Sequence, residues 1–271
     1  MSVPTTIPDS STAKALLPEL RPNVDHIVTE DDQPVDNIYS EKQMRLLTEP
    51  LYASWDAGKP FVATANVGLF YGVRLPPIVP DVLLSKHVEL PENLGEKSQR
   101  SYFMWEYGKP PEAVIEIVSN LEGEETTRKP QIYARIGVAY YIIWDPDSLL
   151  GNGRLQVLEL RAQSYVPIAA GWLPLIQLGI MIWHGVFEAW ENDWLRWCDA
   201  GGNPIPTGAE RAAEMTERAQ LETQRATQAA QRAQQEAQRA QQEALRADEA
   251  TQLVQRLEAQ LRALGAKPKQ T

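Results

Sequence analysis

Apolar residues first recur with a helical period shortly after position 40. Met44, Leu47, Leu51 and Trp55 stand three and four residues apart, which predicts an amphipathic helix. Ser40, with Gln43 three residues on, reads as a capping box at its start, and Gly58-Lys59-Pro60 as its end. The period then shortens. Residues 61–67, 69–75 and 78–84 are short β-rich runs, with Gly68 at a turn and Pro80-Asp81 inside the third. A polar loop at 85–99 precedes an aromatic stretch, 101–107, expected at the edge of the core. Residues 113–119 (AVIEIVS) form an apolar run rich in β-branched residues, the pattern of a strand buried on both faces. Residues 124–136 read as a helix with Ile132, Tyr133 and Ile136 inward and Gly137 as its left-handed stop. Residues 139–144 are a second buried strand, ended by Asp145-Pro146-Asp147. Residues 154–161 alternate after Gly151-Asn152-Gly153 and pair as a hairpin with 165–169. Residues 172–183 are apolar and partly extended, and 187–200 read as a short Trp-rich helix.

The strand–helix–strand run from Val114 to Trp144 implies a right-handed crossover between parallel strands. With antiparallel hairpins on either side, the fold class is α/β with a mixed sheet. Residues 1–24 read as an irregular arm, 25–200 as the folded domain, and 201–208, opening with Gly201-Gly202-Asn203-Pro204, as a hinge. Residues 209–264 contain neither Gly nor Pro, and 265–271 are a tail.

From Glu217 the chain repeats every seven residues. One column holds Ala219, Ala226, Ala233, Ala240, Ala247, Val254 and Leu261; the preceding column holds five arginines from Arg218 to Arg246. A helix of about 55 residues would span roughly 80 Å at ~1.5 Å per residue. A seven-residue period predicts a left-handed coiled coil, hence a homo-oligomer joined through 209–264. The alanine seam is thin, so a largely solvated helix is the alternative.

Charge is uneven. Residues 1–206 carry 16 basic and 27 acidic groups, and the remainder carries 10 and 9. An acidic body does not attract nucleic acid non-specifically. One cysteine, Cys198, excludes an internal disulfide and suits a reducing cytoplasm. No apolar stretch reaches spanning length, so no membrane partner is expected. His26, His87 and His184 lie too far apart in sequence for a zinc motif.

The residue that stands out is Glu116, a carboxylate inside an apolar strand. Its burial requires that it be protonated, paired or a ligand. Asp81 on the upstream strand and Lys129 on the following helix are its candidate neighbours. Two close carboxylates need a cation, and oxygen ligands suit Mg²⁺ or Mn²⁺. The backbone carbonyl of Ile117 would add a third ligand, and Lys129 would act on water or phosphate. The plainer alternatives are a Pro-Asp turn for Asp81 and an ion pair or a snorkelling side chain for Lys129.

The order of these residues carries a resemblance. Pro80-Asp81-Val82-Leu83-Leu84, then Pro111-Glu112-Ala113-Val114-Ile115-Glu116-Ile117-Val118-Ser119, then Lys129, Tyr133, Gly137, Tyr140-Tyr141 and Trp144-Asp145-Pro146 resemble the Uma-two family. These are bacterial restriction-endonuclease-type domains of the PD-(D/E)XK nuclease superfamily, and the resemblance covers roughly 25–190. It implies a PD-(D/E)XK mixed sheet flanked by helices, a metal held by Asp81 and Glu116, and phosphodiester hydrolysis in nucleic acid, DNA foremost. The superfamily's usual lysine position is Val118 here, and Lys129 would take its place. Glu30, Glu41 and Glu125 are further acidic positions without an assigned role. A catalytically silent binding or assembly protein on the same fold, oligomerised by its coil, is the alternative reading.

Overall fold

The computed structural model describes residues 16–24, 37–56, 59–88, 93–119, 127–169 and 171–263. In chain order the elements are α1 (Ile38–Ser54), β1 (Phe61–Ala65), β2 (Leu69–Phe70), β3 (Val82–Lys86), β4 (Tyr102–Phe103), the single turn α2 (Met104–Tyr107), β5 (Ala113–Ile117), α3 (Arg128–Ile136), β6 (Tyr140–Trp144), β7 (Leu155–Arg161), β8 (Ser164–Ile168), β9 (Trp172–Leu173), β10 (Leu178–Phe187), β11 (Trp190–Cys198) and α4 (Gly208–Ala263).

A six-stranded sheet in the order β1-β3-β5-β6-β7-β8 forms the centre. β5 and β6 run parallel, joined through α3, and the other neighbours are antiparallel. The mixed α/β class read from the hydrophobic pattern is therefore the observed one. Every residue of β3, β5 and β6 is buried, because both faces of the sheet are covered. On one face α1 and the β11-β10-β9 sheet enclose Leu47, Leu51, Phe61, Ile115, Trp144 and Trp197. On the other, α3 and the aromatic segment enclose Leu83, Tyr102, Val114, Tyr133 and Tyr141.

Two local expectations are corrected. Ser40 does not cap α1: Asn37, in extended conformation, is the N-cap, and its Oδ1 accepts the Ser40 N–H at 2.9 Å. Gln43 has no capping part either. It is fully buried, donates to the Leu195 carbonyl and accepts the Leu195 N–H, both at 2.8 Å, and so pins β11 to α1. The second correction concerns residues 187–200, which are no helix. β10 and β11 form a hairpin in register from Gly179↔Cys198 to Phe187↔Trp190. Its two turn residues, Glu188 and Ala189, both have positive φ, 46° and 68°. That geometry matches the twist of paired strands, but neither residue is the Asn or Gly that usually announces it.

After β11 the chain folds back on itself. Asp199 Oδ1 accepts the N–H groups of Gly201 and Asn203, and Ile205 N–H donates to the Trp197 carbonyl. The segment expected as a hinge is thus a hydrogen-bonded turn. Thr207 and Glu210 then make a reciprocal capping box at the start of α4. Glu210 also takes both terminal nitrogens of Arg196, at 2.8 and 2.7 Å. Arg196 is 2% exposed and lies 4.6 Å over the Trp183 ring. The chain divides into two compact units, one ending at Arg211 and one beginning at Ala212. In the second, every described side chain is exposed, and Glu222 pairs back to Arg218 at 3.5 Å. Among the described residues no helix is long and apolar enough to cross a membrane.

Removing Glu210 leaves a buried guanidinium without its carboxylate. Because Glu210 itself is 42% exposed, the loss is smaller than for a fully buried pair. Glu210→Ala is expected to lower stability by about 2 kcal/mol, read as a lower urea midpoint at unchanged slope.

Candidate functional site

The site is built on the register of the central strands. β3 and β5 pair with Val82 opposite Ile115, and one further step of that antiparallel register sets Asp81 opposite Glu116. Such partners lie about 4.5–5.5 Å apart at Cα, side chains on the same face. Asp81 is held there from two sides. Its Oδ2 accepts the Ile117 N–H at 2.6 Å, and its carbonyl accepts the Asn66 N–H at 2.9 Å. Asn66, just past β1, has φ of 54° and is exposed. Glu116 is in turn opposite Ile143, and Ile143 opposite Gln156. A single row, Asn66–Asp81–Glu116–Ile143–Gln156, thus crosses five strands' width of sheet. At its far end Gln156 Nε2 is buried and has no hydrogen-bond partner among the described residues.

Helix α3 supplies the second half. Lys129 and Tyr133 are four residues apart and share one helix face. Pro130 sits in the first turn, where its missing N–H costs nothing, and Gly137 closes the helix with φ of 89°. Lys129 Nζ donates to Glu116 Oε2 and Tyr133 Oη to Glu116 Oε1, both at 2.7 Å. Glu116 and Tyr133 are fully buried; the Lys129 side chain retains 21% exposure. Burial pushes the Glu116 carboxyl up to about 8. The Lys129 ammonium opposes that shift, Asp81 adds to it, and the two hydrogen bonds lower it again. Burial beside that carboxylate also drives the Tyr133 phenol well above its ordinary value.

The residues expected from sequence therefore meet: Asp81, Glu116 and Lys129 converge on one sheet face. Ile117 joins them through its N–H, which holds Asp81. Glu41 does not belong here; it pairs with Arg45 at 2.5 Å on α1, an exposed ion pair. Glu30 and Glu125 lie outside the described residues. Tyr133 was not expected as a site residue, although its place one helical turn after Lys129 was visible. An all-oxygen pair of carboxylates, one buried and made harder to ionise by the other, is a donor set that fits a hard divalent cation. Among the described residues no group of three or more His, Cys, Asp or Glu side chains gathers as a ready-made metal cage.

Residues 33–178 match the profile of the Uma2 family, described as "Putative restriction endonuclease". The match spans more than half of the chain. The chain belongs to the Uma2 family. Asp81, Glu116, Ile117, Lys129 and Tyr133 all lie inside the Uma2 match. A comparison with curated proteins found no match. Among solved structures, the chain is similar to "a putative nuclease belonging to DUF820" from Anabaena variabilis ATCC 29413, with 14% identity and a TM-score of 0.37. That likeness covers 53% of this chain and 76% of the other.

The raised Glu116 pKa has a definite sign in stability. Between the ordinary carboxyl value and about 8, the folded metal-free protein holds a proton that the unfolded chain releases. Stability from this group is complete below the ordinary value and is lost as pH rises toward 8. Glu116→Gln cannot ionise. Its melting temperature in EDTA is expected to vary less than that of the parent across this window, and parallel pH curves for the two proteins would refute the assignment.

Proposed function

We propose that the Uma2 domain is a metal-dependent nuclease that hydrolyses phosphodiester bonds in nucleic acid, DNA foremost. One observation carries the reading: two carboxylates, Asp81 and Glu116, fall opposite each other on the central sheet, and a lysine from the crossover helix reaches the buried one. Asp81 and Glu116 would hold Mg²⁺ or Mn²⁺, with the Ile117 carbonyl as a third donor. When bound, the cation would supply Lewis-acid stabilisation of the phosphate and a more acidic water. Ile117 N–H fixes the Asp81 carboxylate. Tyr133 fixes one oxygen of Glu116 and so orients the other. Lys129, whose side chain is partly exposed, would place a positive charge where the phosphate oxygens gain negative charge. The family description supports nuclease character; the ion and the choice of DNA are this proposal's own.

A second reading has its own support. The acidic balance of residues 1–206 works against non-specific attraction to nucleic acid, and the exposed heptad helix favours assembly. It makes the chain a silent binding or assembly protein, homo-oligomeric through 209–264. In either reading the buried, unpaired Cys198 suits a reducing, cytoplasmic setting.

Purified protein with Mn²⁺ or Mg²⁺ is expected to cut DNA, and Glu116→Ala to abolish cutting without unfolding. Lys129→Ala is expected to slow it by ~10²–10³-fold, and Tyr133→Phe by ~10–100-fold, as for groups that orient a ligand. Equal cleavage by parent and Glu116→Ala would trace the activity to a contaminant and remove the nuclease reading. The assembly reading is checked by light scattering on a chain ending at Arg211, which should be monomeric where the full chain is not.

A further inference from the structure

A concavity opens at the edge of the same sheet, beside the β1 end of the row, where Thr64 and Val67 flank Asn66. It has a volume of about 320 Å³ and is lined by Tyr52, Val62, Thr64, Val67, Arg100 and Tyr107, among others. Its floor is the edge strand β1. Thr64 is opposite Leu83, so it faces the side of the sheet that carries Tyr133 and Glu116. Two residues further on is Asn66, which bonds the Asp81 backbone. Two residues along a strand are about 6.6 Å and neighbouring strands about 4.8 Å apart, so Thr64 lies about 8 Å from Asp81 and about 12 Å from Glu116 at Cα, a reach of one to two nucleotides of an extended strand.

One wall is an aromatic ring fixed in place. The Tyr52 hydroxyl donates to the Ala63 carbonyl and accepts the Ala63 N–H, both at 2.9 Å. Phe61 backs the ring at 4.9 Å between centroids. Yet Tyr52 remains 50% exposed. A tyrosine whose hydroxyl and one side are both occupied, and whose remaining surface lines a cavity, is a preorganised stacking surface. The size of the cavity is at the small end for ligand sites, which run from about 300 Å³ upward. It suits one flat ring system.

We propose that this cavity holds an unpaired nucleobase of the strand whose phosphate lies at Asp81 and Glu116. The proposal rests on the nuclease reading and adds the substrate class: single-stranded or locally opened nucleic acid. A base still paired in a duplex is stacked on both faces and cannot enter so small a space; it has to leave the helix first. Stacking also resolves the difficulty posed by the acidic body. Base–aromatic contact does not depend on long-range attraction to phosphates, and it accepts any base, because each has a π-face.

The test uses the full-length protein in EDTA, so that binding is read without cleavage. The probes are a short fluorescein-labelled single-stranded DNA and the fully paired duplex of the same sequence, followed by anisotropy. The single strand should bind more tightly than the duplex. Tyr52→Leu should weaken single-strand binding by ~5–150-fold, the range of one stacked base, and remove the preference over duplex. Tyr52→Phe, which keeps the ring and loses the bonds to Ala63, should bind within a few-fold of the parent. Thr64→Phe fills the cavity from its floor and should act like Tyr52→Leu; it decides the matter if Tyr52→Leu melts early. Equal binding of strand and duplex, or parent-like binding by both cavity variants, overturns the proposal. Cleavage with Mn²⁺ is followed in parallel. Cutting that is indifferent to the cavity variants removes the base site and leaves the nuclease, whereas ring-dependent binding without cutting does the reverse.

Discussion

A carboxyl group without solvent access has to be compensated, and in this domain the compensation sets the position of a helix. Glu116 is fully enclosed on a strand whose other residues are all apolar. The only groups that reach its oxygens in the described structure come from one face of α3, Lys129 and Tyr133. Leaving such a group unpartnered would cost several kcal/mol. The crossover between the two parallel strands is therefore constrained chemically as well as by chain handedness. If α3 slid by one residue along its axis, the ammonium and the phenol would both leave the carboxylate. The same contacts that stabilise the fold hold the groups that would do chemistry, so fold and site draw on one set of bonds.

The two faces of the sheet divide the work. The face covered by α1 and the smaller sheet is a conventional core, closed by Trp144, Trp197 and Leu195, with Gln43 and the Trp197 indole spending their polar groups on backbone. The α3 face holds Tyr102, Tyr107, Tyr133 and Tyr141, the buried carboxyl and the row from Asn66 to Gln156. An apolar slab behind and a hydrogen-bonded layer in front is an arrangement in which side chains of the front layer can be precise without carrying the whole fold.

The central part of this arrangement was legible in sequence for physical reasons. Continuous β-branched runs can only be strands covered on both faces, so β5 and β6 and the helix between them followed directly. Glu116 stood out because nothing polar belongs in such a run. Asp81 and Lys129 followed from order and resemblance, and the register that brings them together could not be read until pairing was known. The errors lie where local signals compete. Ser40 and Gln43 have the spacing of a capping box, but Asn37 offers a better-placed oxygen and Gln43 is drawn into the core by an edge strand more than 150 residues away. The β10–β11 hairpin was hidden because its turn is made of Glu188 and Ala189, and because Trp194, Leu195 and Trp197 read equally well as a helical stripe until a partner strand is supplied.

The junction with the C-terminal helix has a consequence for how such chains are cut and recombined. Arg196 is a buried residue of β11, but the carboxylate that neutralises it belongs to the first turn of α4, two residues after that helix begins. Gly201-Gly202 lies inside the first compact unit, ahead of that carboxylate. A protein shortened there, or given a foreign tail there, inherits a stranded guanidinium and an uncapped edge, and its failure would be misread as evidence that the helix is needed for activity. The first compact unit runs to Arg211, and an exchange of tails between relatives keeps the Arg196 pair only if Thr207 and Glu210 travel with the body.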